Sequence, residues 1–279
     1  MARTPAARPK KAAPRPAAAK KAAPRKASLK PVAVITGASA GLGVDFARQL
    51  AADGHRLLLV ARRKERLEAL AAEVGNARAL ALDLGQPGAA AALVADLAAH
   101  GERVDMLVNN AGFGLWGRFT ELGGARQREM IDLNVGTLVE LCHAVLPEMV
   151  RRKEGAILNV ASTAAFQPGP GMATYFATKA FVLSFTEALH EEVKANGVRV
   201  SALCPGPTAT EFGAVAGFTG NGAFDKMSAK SEDVVTGGLK ALAANKAVFV
   251  PGLANKLGAQ GHRFLPRGVL RKVTALIKH

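Results

Sequence analysis

The chain has 279 residues, 49 % of them hydrophobic, two cysteines and a formal net charge of +15. That length can bury one large core, and Cys142 and Cys204, each in an apolar stretch, read as buried thiols of a reducing, cytoplasmic compartment, which excludes a disulfide framework. No apolar run reaches the ~18 residues a membrane span needs, so no transmembrane segment is expected.

The charge is uneven. Residues 1–30 hold ten Lys or Arg and no acid, and residues 251–279 hold six and no acid, so the body between them is close to neutral. The first thirty residues are almost all Ala, Lys, Arg and Pro. Pro5, Pro9, Pro14, Pro16 and Pro24 interrupt any helix, and between Met1 and Leu29 there is no large apolar side chain to offset the entropy of ordering. Residues 1–30 therefore read as a disordered basic leader, without the apolar core of a secretory signal. It is either a solvated appendage or a weak contact for nucleic acid or another polyanion.

From residue 31 the pattern changes. Val32–Ile35 is a short β-branched strand. Thr36-Gly37-Ala38-Ser39-Ala40-Gly41-Leu42-Gly43 follows, then a helix to about Asp53. A strand, a glycine turn and a helix N-terminus make an anion site, because glycines let the backbone approach a pyrophosphate and the helix amides face it. Gly37, Ser39, Ala40, Gly41, Leu42 and Gly43 are its candidate contacts.

Arg56–Ala61 is the second strand. Where a carboxylate would hold a ribose 2′-hydroxyl the chain has Ala61, followed by Arg62 and Arg63. A missing acid plus a guanidinium suits a 2′-phosphate, so NADP(H) is expected over NAD(H), with Arg62 as the phosphate contact and Arg63 opening the next helix, Lys64–Val74. Ala77–Leu82 is the third strand. Asp83 at its end is a candidate acceptor for an adenine amino group, with Leu84 beside it. A helix over Gly88–His100 precedes the fourth strand, Val104–Val108, which runs into Asn109-Asn110-Ala111-Gly112. Asparagines at a strand end can tie neighbouring strand ends, and Gly112 allows close approach of a ligand.

One helix is expected from Gly124 to about Glu148, carrying Asn134. Ala156–Ala161 reads as a buried strand that ends at Ser162. Tyr175 and Lys179 lie four apart at the start of a long helix, Ala173–Asn196, and so share a face. An ammonium near a phenol favours the phenolate and brings its pKa towards the working range, while a hydroxyl at Ser162 can hold a carbonyl oxygen. Val198–Leu203 is the sixth strand, ending in Cys204-Pro205-Gly206-Pro207-Thr208. Ser231 is the expected N-cap of a helix to Ala244, and Ala247–Val250 is a last short strand. Strands alternating with helices mean an α/β fold: a Rossmann-like, doubly wound parallel sheet in a single domain, residues 31–252.

Three loops on the carboxyl side of the strands carry apolar side chains. They are Phe113–Trp116, Phe166–Met172, and Thr208–Lys230 with Phe212, Phe218, Phe224 and Met227. They suggest a lid and an apolar carbonyl substrate, or simply side chains that seal the loops onto the body. Residues 253–279 end in an amphipathic basic helix after Pro266. Val269, Leu270, Val273, Leu276 and Ile277 lie opposite Arg267, Arg271, Lys272 and Lys278. His143 and His190 have no metal-ligand spacing around them, so no metal site is expected.

Taken together, the glycine turn, Asp83, Asn109-Asn110-Ala111-Gly112, Asn134, Ser162, Tyr175-x-x-x-Lys179 and Pro205-Gly206 resemble the short-chain dehydrogenase/reductase family, in its order and near its spacing, over about residues 32–252. The resemblance implies a nicotinamide cofactor and a catalytic tetrad of Asn134, Ser162, Tyr175 and Lys179. It assigns Tyr175 as proton donor in carbonyl reduction. Lys179 lowers the tyrosine pKa and holds the nicotinamide ribose. Ser162 orients the substrate oxygen, and Asn134 links Lys179 to solvent through a water. Asn110, Ala111, Gly112, Pro205, Gly206 and Thr208 line the cofactor. A homodimer or homotetramer follows, with the Tyr175 helix at an interface. The expected activity is hydride transfer between NADP(H) and an apolar ketone, aldehyde or secondary alcohol, 3-oxoacyl compounds included. The alternative is a nucleic-acid-associated protein that works through its basic ends and uses the fold as a cofactor-sensing platform.

Overall fold

The computed structural model describes residues 29–217, 228–261, 264 and 266–276, and all structural statements concern these. The basic leader to residue 28, Phe218, Phe224, Met227, Ile277 and Lys278 lie outside them.

Seven parallel strands form one sheet in the order β3-β2-β1-β4-β5-β6-β7. They are β1 (Lys30–Thr36), β2 (Leu57–Ala61), β3 (Ala77–Ala81), β4 (Glu102–Asn109), β5 (Gly155–Val160), β6 (Val198–Leu203) and β7 (Val248–Phe249). Their near-continuous Val, Leu, Ile and Ala runs suit strands covered on both faces. Alternation divides those residues between two cores. Ala33, Ile35, Leu57 and Leu59 pack under α1 (Leu42–Ala52), α2 (Lys64–Val74) and the later helix Ser231–Ala243. Val32, Val34, Leu58 and Val60 pack under α3 (Ala89–Ala99), α5 (Leu138–Arg152) and α6 (Ala173–Val193). Each leucine-sized side chain so buried stabilises the fold by ~1.5–3 kcal/mol.

Three features depart from the sequence reading. First, the helix expected over Gly124–Glu148 is present but not regular: α4 (Gly124–Ile131) runs into α5 through a wider π-helical turn over Asp132–Thr137. The whole stretch Gly124–Arg152 has the length and mean hydropathy of a membrane span. In this fold it covers the sheet instead, with Leu141, Cys142 and Met149 buried in the core. Second, Ser231 is not an N-cap. Lys230 holds the cap position without a side-chain bond, and Glu232 and Asp233 in the first turn face the helix dipole directly. Third, a helix that the sequence reading did not expect, Leu253–Gly261, precedes the expected one after Pro266, Arg267–Leu276. On the second, Leu270 and Thr274 are the buried stripe, while Val269 and Val273 are about two-fifths exposed.

Between β4 and β5 the core is polar. Asn109 Nδ2 donates to Asn159 Oδ1 (2.9 Å) and to Cys142 Sγ (3.3 Å), and Asn159 Nδ2 donates to Thr186 Oγ1 (3.0 Å). Thr186 in turn donates to Val182 O. All four side chains are buried. Buried polar groups left without partners are costly, so the network fixes the β4–β5 register and anchors α6. Asn159→Ala should lower unfolding stability by about 2–4 kcal/mol, read from denaturant midpoints. A change under ~0.5 kcal/mol, the level of an inconsequential surface substitution, would contradict this role.

Candidate active site

The strand order reverses direction at β1 and β4, and the crevice outside their carboxyl ends is where ligands bind in such sheets. The glycine turn leaves β1 there. Gly41 takes φ 53°, and a Cβ on Gly43 would come within 2.3 Å of Gly37 O. Only glycine lets α1 start this close to the turn. The turn is clamped to the end of β4. Thr36 Oγ1 donates to Val108 O and accepts from the amides of Asn110 (2.9 Å) and Ala111 (3.0 Å). Asn110 Nδ2 donates to Thr36 O and Gly37 O. These bonds hold the crevice open at a fixed width. Glycines packed this tightly, which expose main chain at the start of α1, fit a dinucleotide pyrophosphate.

At the adenosine end, Arg63 is the arginine that turns onto the glycine turn. Its Nε donates to Ser39 Oγ (3.1 Å) and its Nη2 to Ser39 O (3.2 Å). Arg62 is exposed. The Asp83 carboxylate accepts from Gly85 N (3.0 Å) and Gln86 Nε2 (3.4 Å), closing its own turn. Leu84 is buried, and its carbonyl accepts from Thr137 Oγ1 (2.6 Å).

At the other end, Asn134, Ser162, Tyr175 and Lys179 converge. The π turn swings Asn134 inward. Its Oδ1 accepts from Phe113 N (3.1 Å), and its Nδ2 donates to Phe113 O (3.0 Å) and Thr178 Oγ1 (3.2 Å). Thr178 donates to Tyr175 O (2.7 Å), so Asn134 is coupled to the first turn of α6. A Cβ on Gly112 would come within 2.9 Å of Asn134 Oδ1 and 3.7 Å of Lys179 Nζ. Glycine is therefore needed where the β4 turn crosses the tetrad. Ser162 Oγ accepts from Ala164 N (3.1 Å) and donates to Pro205 O (3.4 Å). Lys179 Nζ donates to Val160 O (2.7 Å) and lies 5.8 Å from the centre of the Tyr175 ring.

Without a ligand, burial dominates the electrostatics of the pair. Lys179 does not bring Tyr175 down in this structure. Burial pushes the phenol up to about 12, and a hydrogen bond with Ser162 opposes it only in part. Burial likewise drives Lys179 down to about 8. Both charged forms lose hydration in the same pocket, and desolvation exceeds any mutual help. His190, by contrast, is structural: its Nδ1 bonds Val200 O.

Around Tyr175 the described wall is apolar. Met172, Phe113, Phe176 and Phe212 surround the ring, with Phe212 centred 5.3 Å away. Phe212 opens the short helix α7 (Phe212–Ala216). Two residues near the cleft escaped the sequence reading. Thr208 Oγ1 donates to Gly206 O, and it is Thr210 that stands over Gly41, where a Cβ would come within 3.0 Å of it. Asn255, on the helix after β7, crowds Gly206, where a Cβ would meet its Nδ2 at 2.4 Å. Neither belongs to a contiguous motif. The cue in the sequence was only the polar side chain beside a glycine-rich turn.

Lys179 binds fewer protons folded than unfolded between about pH 8 and its ordinary 10.5. Stability must therefore rise with pH across that window, by up to a few kcal/mol. Thermal midpoints of the unliganded wild type should rise relative to Lys179→Met from pH 8 to 10. A constant difference would mean that Lys179 is not desolvated.

Residues 31–217 match the family model for the short chain dehydrogenase. Over 187 residues the chain is 39 % identical to the NADP-dependent 3-hydroxy acid dehydrogenase YdfG of Salmonella typhi, covering 66 % of this chain and 75 % of that one. It is 36 % identical over 181 residues to the serine 3-dehydrogenase of Agrobacterium fabrum, covering 64 % and 72 %. Among solved structures, a short-chain dehydrogenase from Sphingobium yanoikuyae in complex with NADPH superposes with a TM-score of 0.74 at 34 % identity, over 87 % of this chain and 95 % of that one. With the clamped glycine turn, the converging tetrad and this extent of matched sequence, the chain belongs to the short-chain dehydrogenase family of oxidoreductases.

Proposed function

We propose that the protein is an NADP(H)-dependent oxidoreductase that moves a hydride between nicotinamide and an apolar ketone, aldehyde or secondary alcohol. The observation that carries this reading is the convergence of Ser162, Tyr175 and Lys179 at the reaction end of the crevice, inside an apolar wall. Gly37, Ser39, Ala40, Gly41, Leu42 and Gly43 hold the pyrophosphate, and Asn110, Ala111, Gly112, Pro205, Gly206 and Thr208 flank the rest of the cofactor. Asp83 and Leu84 bound the adenine. Arg62 and Arg63 take the 2′-phosphate, since β2 ends at Ala61 with no carboxylate to repel it. When bound, the cofactor supplies or accepts the hydride at nicotinamide C4 and, oxidised, carries a positive charge.

The chain's own residues do the rest. Ser162 donates a hydrogen bond to the substrate oxygen and holds it near the phenol. Tyr175 delivers a proton to that oxygen in reduction and removes it in oxidation. Its site favours the neutral phenol at pH 7, the form reduction needs. Lys179 draws the phenol's proton equilibrium towards release once ligands bring charge into the pocket, and it binds the nicotinamide ribose. Asn134, fixed by the π turn, resupplies protons to Lys179 through a water.

The named substrates of the two relatives, a 3-hydroxy acid and serine, carry a carboxylate. In this chain the side chains clustered with Tyr175 are aromatic, aliphatic or thioether, which favours an apolar carbonyl, 3-oxoacyl compounds included. The Tyr175 helix carries an exposed apolar face, with Phe181 stacked on Phe185 and Ile131 and Val135 nearby. That face supports a homodimer or homotetramer built on α6. The free, buried thiols of Cys142 and Cys204 fit a reducing compartment.

Tyr175→Phe, assayed with NADPH against a panel of apolar ketones and aldehydes, should lower kcat by at least ~100-fold, the lower range of general-acid contributions. Cofactor affinity and the melting temperature should hold. Turnover within a few-fold of wild type would remove Tyr175 from the proton-donor role.

A further inference from the structure

The guanidinium that faces the glycine turn is already engaged. Arg63 Nη1 contacts Glu211 Oε2 at 2.9 Å, and Arg66, one helical turn along α2, contacts Glu211 Oε1 at 2.7 Å. Both carboxylate oxygens are therefore taken by arginines at the N-terminal end of α2. The pairing holds the Glu211 carboxyl below its usual range, through its hydrogen bonds to Arg63 and Arg66. Glu211 is far from these arginines in sequence, on the segment that leaves β6, immediately before α7.

That segment crosses the whole crevice. Thr210 stands over Gly41 at the glycine turn. Glu211 grips α2 at the adenosine end. Phe212 packs on the Tyr175 ring, and Ala216 O accepts from Trp116 N at 2.9 Å at the reaction end. Seven consecutive residues thus touch both ends of the cofactor cleft.

We propose that Glu211 is a built-in competitor of the cofactor's 2′-phosphate for Arg63 and Arg66. In this arrangement the 2′-phosphate displaces the carboxylate and frees the 210–216 strap from α2, so that phosphate recognition is transmitted to the wall of the reaction site. The inference rests on the NADP(H) reading above. Relative strengths decide its direction. Glu211, Arg63 and Arg66 are each close to half exposed, and ion pairs at such sites are weak and screened. A phosphate brings more charge and more acceptor oxygens to a pair of guanidiniums than one carboxylate does. Arg66 is accordingly assigned as a further phosphate contact beside Arg62 and Arg63, in the first turn of α2 and three residues on from its N-cap Arg63. A cofactor without the 2′-phosphate has nothing with which to displace Glu211, so the latch penalises only the phosphorylated form and only by the strength of the ion pairs.

The test is binding, not turnover. Dissociation constants for NADPH and NADH are measured on the full chain, wild type and Glu211→Gln, with Glu211→Ala as a second variant and melting temperature as a check on folding. Glu211→Gln should tighten NADPH about two- to tenfold, the range expected from loss of weak exposed pairs, and leave NADH within error. The gain should shrink as salt rises. Trp116 is the one tryptophan of the sequence, so its fluorescence reports on the strap. In the wild type, 2′-AMP should change that fluorescence where 5′-AMP does not, and in Glu211→Gln the 2′-AMP response should be lost. Weaker or unchanged NADPH affinity in Glu211→Gln, or equal shifts for both cofactors, would overturn the proposal, as would an identical response to the two nucleotides. A wild type that binds NADPH no better than NADH would instead overturn the cofactor reading itself, so the two failures are distinguishable.

Discussion

The burial of Tyr175 and Lys179 is the constraint on which the site depends. Two groups with opposite charge preferences sit in one poorly hydrated pocket four residues apart on α6. Each resists ionisation there, with the phenol pushed up to about 12 and the ammonium down to about 8. Such a pocket keeps the proton on the phenol until another charge arrives. It also makes Lys179 responsive, since a lysine near pH 8 gains or loses its proton with small changes of environment. A main-chain acceptor of Lys179, Val160 O at 2.7 Å, lies on the last residue of β5. Strand β5 therefore sets where the reacting pair stands.

What keeps that pair in place is polar and lies behind it. Asn109, Asn159 and Thr186 tie β4, β5 and α6 into one unit, and Asn134 reaches α6 through Thr178 from the opposite side. The π turn serves the same end. Asn134 lies in that wider turn and bonds both the main-chain N–H and the C=O of Phe113. At the front of the crevice the Thr36–Asn110 clamp performs the corresponding task for the glycine turn. The apolar layers supply most of the stability, and these few polar links decide where the ends of the strands stand.

Much of this was legible in the sequence because it is local. Lys64–Val74 and Val198–Leu203 were located to the residue, since periodicity, glycines and strand ends mark them. The doubly wound order follows from alternating strands and helices. The tetrad was legible as a set of spacings, and the structure brings all four side chains to one end of the crevice. What the sequence concealed depends on contacts between distant segments. Nothing local shows that Arg63, not Arg62, lies against the glycine turn; Ser39 and Glu211, which follows β6, hold it there. Burial at Tyr175 is hidden for a related reason: the Tyr-to-Lys spacing shows the neighbour's charge but not the desolvation that raises the phenol in the unliganded site. The π turn and the missing cap at Ser231 were hidden by sequence that suits a regular helix and a serine cap equally well.

Tyr175 is the one tyrosine in the sequence, so the near-ultraviolet absorbance of tyrosinate reports on it alone. The most direct test of the account is to titrate that signal on the full chain, with and without saturating NADP+. Without cofactor the phenol should ionise near pH 12, well above its ordinary value of 10, and with NADP+ the midpoint should fall by at least a full pH unit. A free-protein midpoint at the ordinary value, or one that the cofactor does not move, would contradict a desolvated phenol whose acidity is supplied by the charge that ligands bring.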